Sequence, residues 1–67
     1  MNTYRAVILI DGSVALQDAR GNPITVTRDF SGRVLYADVA GGTLTVHTDR
    51  GPVRFAIRDE PPHLERY

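Results

Sequence analysis

Few side chains in this sequence are equipped for chemistry. His47 and Asp49 lie two residues apart, the spacing that places two side chains on one face of a strand, and His63 follows Glu60 closely. A catalytic zinc ion asks for three protein ligands held by a second layer of hydrogen bonds. Here the two histidines sit in unrelated contexts, and His47, between Thr45 and Asp49, reads as a solvent-facing sheet residue. No metal and no other cofactor is expected.

Nucleophilic chemistry has less to work with. The chain has no Cys and its basic residues are all Arg, which removes thiolate and Schiff-base routes. Ser13 and Ser31 fall among turn residues, where a hydroxyl commonly bonds the backbone, and neither lies in a nucleophile-elbow pattern. The Asp residues are accounted for by turns. Gly41-Gly42 leads from one strand into another, so no helix N-terminus is available to hold a phosphate. The sequence therefore predicts no enzyme.

Arginine is the remaining chemistry. Arg54 and Arg58 fall on one face of a strand, Arg28 and Arg33 flank one turn, and Tyr36 sits on the next strand. An Arg-lined groove with exposed aromatics on which bases stack is how small barrels bind single-stranded nucleic acid. Phe55 and Tyr36 fit the core pattern, which leaves no exposed aromatic pair. Outward Arg also discourages edge-to-edge aggregation. The face Arg28, Arg33, Arg54 and Arg58 is thus the second reading.

The elements that must carry these residues are strands. Apolar alternation recurs about every ten residues between turn residues: Tyr4–Ile10, Ser13–Gln17, Ile24–Arg28, Arg33–Val39, Thr43–Thr48 and Pro52–Arg58. The last of these points Val53, Phe55 and Ile57 inward. Asp-x-x-Gly occurs at Asp18–Gly21, Asp29–Gly32 and Asp38–Gly41, the pattern of a type I turn closing a hairpin. Asp11-Gly12 and Asp49-Arg50-Gly51 mark two further turns. Short connections imply neighbouring antiparallel strands without crossover helices. The expectation is an all-β fold, a six-stranded antiparallel meander over residues 1–60. It closes as a small barrel, SH3-like in size, or as a two-layer sandwich.

Residues 61–67 form a Pro-initiated tail. Two prolines end the last strand, and Leu64 and Tyr67 lie three apart, on one side of a single helical turn. The tail is either a frayed terminus or an arm that inserts both side chains into a neighbour.

Val7–Ile10 of the first strand and the strand Arg33–Val39 are apolar on both faces, which predicts that the first strand is central or covered on both sides, and a single curled sheet covers only one face. Leu35, Ala37 and Val39 therefore need a second layer or a second subunit. With 67 residues and no disulfide, a thin core also favours association. Leu35, Ala37, Val39, Leu64 and Tyr67 are the predicted protein interface. The partner is another copy of the chain, a different protein, or both.

Eight Arg balance six Asp and two Glu, so the broad basic field of a dedicated nucleic-acid binder is missing. The apolar run Ala6–Ile10 after Met1–Arg5 is too short for a signal-peptide core or a membrane span. A cytoplasmic location is expected, the host's cytoplasm if the gene is viral.

Thr27-Arg28-Asp29-Phe30-Ser31-Gly32-Arg33-Val34 resembles one tyrosine–aspartate repeat of the large β-cocoon proteins over about eight residues, without the motif's tyrosine. The resemblance implies a hairpin turn. In kind, a small reading frame without catalytic residues is similar to phage-encoded accessory and inhibitor proteins. The functional expectation is a non-catalytic, self-associating interaction module that acts as a regulator, inhibitor or assembly component.

Overall fold

The computed structural model describes residues 3–67. Met1 and Asn2, which open the segment read above as too short for a signal peptide, lie outside the described residues. Seven strands succeed one another: β1 (Tyr4–Ile8), β2 (Val14–Asp18), β3 (Pro23–Thr27), β4 (Val34–Ala40), β5 (Thr43–Thr48), β6 (Gly51–Asp59) and β7 (Pro62–Arg66). They form two antiparallel sheets, ordered β1-β2-β3 and β4-β5-β6-β7. The all-β expectation holds as a two-layer sandwich and not as a closed barrel. Edge β1 lies beside β4 and edge β3 beside β7, but neither pair shares a backbone ladder. Side chains bridge the seams instead. The Tyr4 hydroxyl donates to the Asp59 carboxylate, and the Arg66 guanidinium donates to the Asp29 carbonyl at 3.2 Å.

Period-two alternation decides what each sheet buries. In β5, Leu44, Val46 and Thr48 face inward and Thr43, Thr45 and His47 outward. Its partner β6 sends Val53, Phe55 and Ile57 inward as expected. The core gathers Leu44, Val46 and Phe55 from this sheet against Val14 from β2, with Ala37, Val39, Ile57 and Leu64 half-buried around them. Leu16 is equally buried but stands outside that cluster.

The structure departs from the sequence expectation at four places. First, residues 62–66 are the seventh strand and not a helical turn: β7 ladders onto β6, with Ile57 opposite Leu64. Proline is tolerated at the first residue of an edge strand, where no inward N–H is required. Glu60 and Pro61 thus form the hairpin turn, with the peptide between them cis, and Pro62 opens β7 opposite Asp59.

Second, Leu35 does not share a face with Ala37 and Val39. A bulge between Val34 and Tyr36 lifts Leu35 out of the ladder. Ala37 and Val39 turn inward and are already covered by the first sheet, while Leu35 is 54 % exposed. Third, β1 is an edge strand that ends at Ile8, leaving Ile8 half-exposed and Ile10 in solvent.

Fourth, only one of the three Asp-x-x-Gly stretches closes a hairpin. The Asp18 carboxylate accepts the N–H groups of Arg20 and Asn22, both at 2.9 Å, and joins β2 to β3. Asp29–Gly32, the stretch that resembles a repeat turn, instead carries the chain from one sheet to the other. Asp49 from the β5–β6 turn reaches into this link and accepts the Arg33 N–H at 3.0 Å. Gly32 has φ +90°, and any Cβ there would collide with the Asp49 carboxylate, so the link needs glycine for its backbone and for the close approach. Asp38 lies within β4 and points away from the turn that Gly41 and Gly42 make.

Candidate functional site

Counting back from the Gly41-Gly42 turn fixes what the outer face of the four-stranded sheet presents. Tyr36, His47 and Pro52 form one row across β4, β5 and β6. Asp38, Thr45 and Arg54 form the next, and Ala40, Thr43 and Ala56 the one after. Thr45 is the centre of this grid.

The first row is aromatic. The Tyr36 and His47 rings stack with centroids 4.0 Å apart and planes 12° from parallel, an offset pairing allowed by the strand spacing. Tyr36 remains 55 % exposed. The expectation that Tyr36 belongs to the core is corrected: the register puts it opposite His47, on the face away from Leu44 and Val46. His47 Nε2 also lies 3.4 Å from the Asp38 carboxylate, which ties the aromatic row to the charged one.

Tyr67 lies on the same face. Its N–H donates to the Arg54 carbonyl at 3.1 Å, and its hydroxyl meets the Thr43 Oγ1 at 2.9 Å. Thr43 is the ladder partner of Ala56, so the ring crosses β6 over Ala56. This explains why Ala56 is 6 % exposed on an outer face while Tyr67 is 74 % exposed. Leu64 takes the opposite side of β7 and sits inward against the core.

The four arginines do not line one groove. Arg28 forms an ion pair with Asp11 at the β1–β2 turn, on the other sheet. Arg33 lies at the inter-sheet link. Arg54 and Arg58 do share the outer face, but Arg58 Nε donates to Glu65 at 2.8 Å. Arg54 is exposed and its guanidinium has no partner among the described residues.

The last outward row carries a small polar network. His63 Nδ1 is 2.6 Å from the Pro61 carbonyl, and His63 Nε2 is 3.2 Å from the Glu65 carboxylate. Only the imidazolium has two N–H groups to serve both acceptors. The Pro61 carbonyl first, and Glu65 second, therefore raise the His63 pKa. Arg58 and His63 in turn lower that of Glu65.

A cleft of about 650 Å³ opens at one end of the sandwich, between Tyr4 and Asp59 on one side and Gly41 and Gly42 on the other. Val39 and Ile57 line it as well. Two of its polar groups, the Tyr4 hydroxyl and the Asp59 carboxylate, bond to each other, and Thr3 also lines it. Among the described residues no three His, Asp or Glu side chains converge as metal ligands, and no helix is long and apolar enough to cross a membrane.

The outer face thus brings together Tyr36, His47, Asp38, Arg54 and Tyr67. Sequence reasoning singles out Tyr67 and Arg54 and reads His47 as an outward sheet residue, as found, but it assigns Tyr36 to the core and Asp38 to a turn. The signal is present: a two-residue Gly-Gly turn pairs Tyr36 with His47 and Asp38 with Thr45 by simple counting. Comparison of the chain with family models, curated proteins and solved structures finds no significant match.

Proposed function

We propose that the chain is a non-catalytic protein-interaction module that self-associates, acting as a small regulator, inhibitor or assembly component in a cytoplasmic setting. The observation that carries this reading is the outer face of the four-stranded sheet. It exposes Tyr36 and Tyr67 around the small residues Thr43, Thr45 and Ala56, and aromatic side chains beside an unpaired Arg are what the buried centres of interfaces are enriched in. The test is the solution mass by sedimentation equilibrium from low to high micromolar concentration. A mass that rises above the 7.4 kDa of one chain supports the reading. A monomer throughout removes self-association.

A second reading is favoured by one specific observation, the Tyr36–His47 stack beside Arg54. The same geometry accepts a base of single-stranded nucleic acid, with Arg54 to meet a phosphate. Such binding falls steeply with salt, because each phosphate contact releases a counterion. Titration with a labelled oligonucleotide at two salt concentrations decides it. Absence of binding at low salt ends this reading.

A further inference from the structure

The outer-face grid is complementary to itself. Its middle row puts an acid, Asp38, on β4 and a base, Arg54, on β6, with Thr45 on β5 between them. A two-fold axis running along β5, in the plane between two such faces, exchanges left and right while keeping each row opposite itself. Under that operation β4 of one copy faces β6 of the other.

Each row then meets a suitable partner. Asp38 of one copy faces Arg54 of the second, and the same contact recurs on the other side of the axis. Tyr36, half-exposed, faces Pro52, an aromatic–proline contact of the kind that fills interface centres. Ala40 faces Ala56 and the Tyr67 ring that covers it. Only Thr45, Thr43 and His47 face their own copies, and the two threonines are small enough to let the sheets approach to the usual spacing of about 10 Å between packed sheets.

Resting on the self-association reading above, we infer that two copies of this chain dock through the outer faces of their four-stranded sheets, held in register by reciprocal Asp38–Arg54 pairs. The chain's net charge of zero adds no general repulsion between copies. The three strands that face their counterparts, about 4.8 Å apart and about 20 Å long, give a flat footprint of about 300 Å² per copy. That is well below the standard size of a stable interface, so the dimer is of the weak, transient class.

The experiment is a charge-reversal cycle read by sedimentation equilibrium, with far-UV circular dichroism to show that each variant is folded. R54D and D38R each set like charges together at two equivalent places. Each is expected to weaken the dimer about 100-fold, about ten-fold per place, which abolishes it at accessible concentrations. The double variant R54D/D38R restores the opposed charges and returns the affinity to within about ten-fold of the wild type. Thr45→Arg, at the centre of the face, abolishes the dimer without touching the core.

A wild-type dimer that withstands both single reversals and Thr45→Arg overturns this interface and leaves self-association standing on another surface. Single losses that the double variant does not repair overturn the reciprocal pairing. A wild type that stays monomeric overturns both this inference and the reading it rests on.

Discussion

The two sheets obey the same alternation, yet their outer faces differ in kind. On the three-stranded sheet Val7, Ala15 and Val26 form a row across β1, β2 and β3. Ala15 is 2 % exposed there because two β-branched neighbours flank it. Beside this row Arg5 reaches Gln17 at 3.3 Å. The face leaves Val26 half-exposed, but its small central residue is already covered. On the four-stranded sheet the outer rows hold rings and opposite charges at fixed spacings, and Arg54 has no partner among the described residues. An alternating strand pattern thus states which residues leave the core, while the side chains that leave it decide whether a face is finished.

The inner faces differ as well, and the largest effects should expose that difference. The four-stranded sheet supplies three of the four residues in the central cluster. Phe55→Ala should therefore cost about 3–5 kcal/mol in denaturant unfolding, and Leu16→Ala, outside the cluster, nearer about 2 kcal/mol. Equal losses would mean the sheets share the core evenly.

Ending the chain after Pro62 removes Leu64 from its place opposite Ile57 and reopens the β6 edge. A loss of about 2–4 kcal/mol is expected, from apolar burial and ladder hydrogen bonds together. Unchanged stability would show that β7 adds nothing to the fold. On the outer face of the three-stranded sheet, Val26→Thr should shift stability by less than about 0.5 kcal/mol. A larger loss would show that this row is covered in solution.

The smallest effect is electrostatic and local to β7. The folded chain holds the His63 pKa above its usual value, so its contribution is fully present below about pH 6.5 and fades as pH rises through the folded value. The unfolding midpoint of the wild type relative to His63→Gln should decline on going from about pH 6 to pH 8. On the acid side the sign reverses. Ser13 lowers the Asp11 pKa, Asn22 lowers that of Asp18, and Arg58 lowers that of Glu65. Their support is present above about pH 4 and is lost on further acidification.

Much of this architecture is legible in the sequence. Strand type and approximate place come from alternation, and β5 has the expected bounds because polar and apolar residues alternate from Thr43 to His47 and the turn residues Asp49-Arg50-Gly51 follow Thr48. The differences have physical reasons. The bulge at Leu35 changes which side chains share a face, and no residue type at that position announces it. Pro61 and Pro62 read as a terminator because proline breaks ladders, but a hairpin turn and the start of an edge strand both accept it. Asp29–Gly32 has the residues of a hairpin turn, yet the packing of the next strand decides whether a turn folds back or crosses over. The spacing of Asp38 from Gly41 suggests a turn residue, although Gly41-Gly42 needs no side-chain acceptor. That assignment hides the acid of the candidate site.

The six-residue link from Arg28 to Arg33 is the single covalent passage between the sheets, and every laddered pair of strands lies wholly before it or wholly after it. The molecule is therefore separable: a cut between Phe30 and Ser31 leaves each piece with a whole sheet and one apolar side. Each piece needs the other to hide that side. Such a chain is suited to reassembly from two fragments, and to exchanging its three-stranded half between copies when the link straightens.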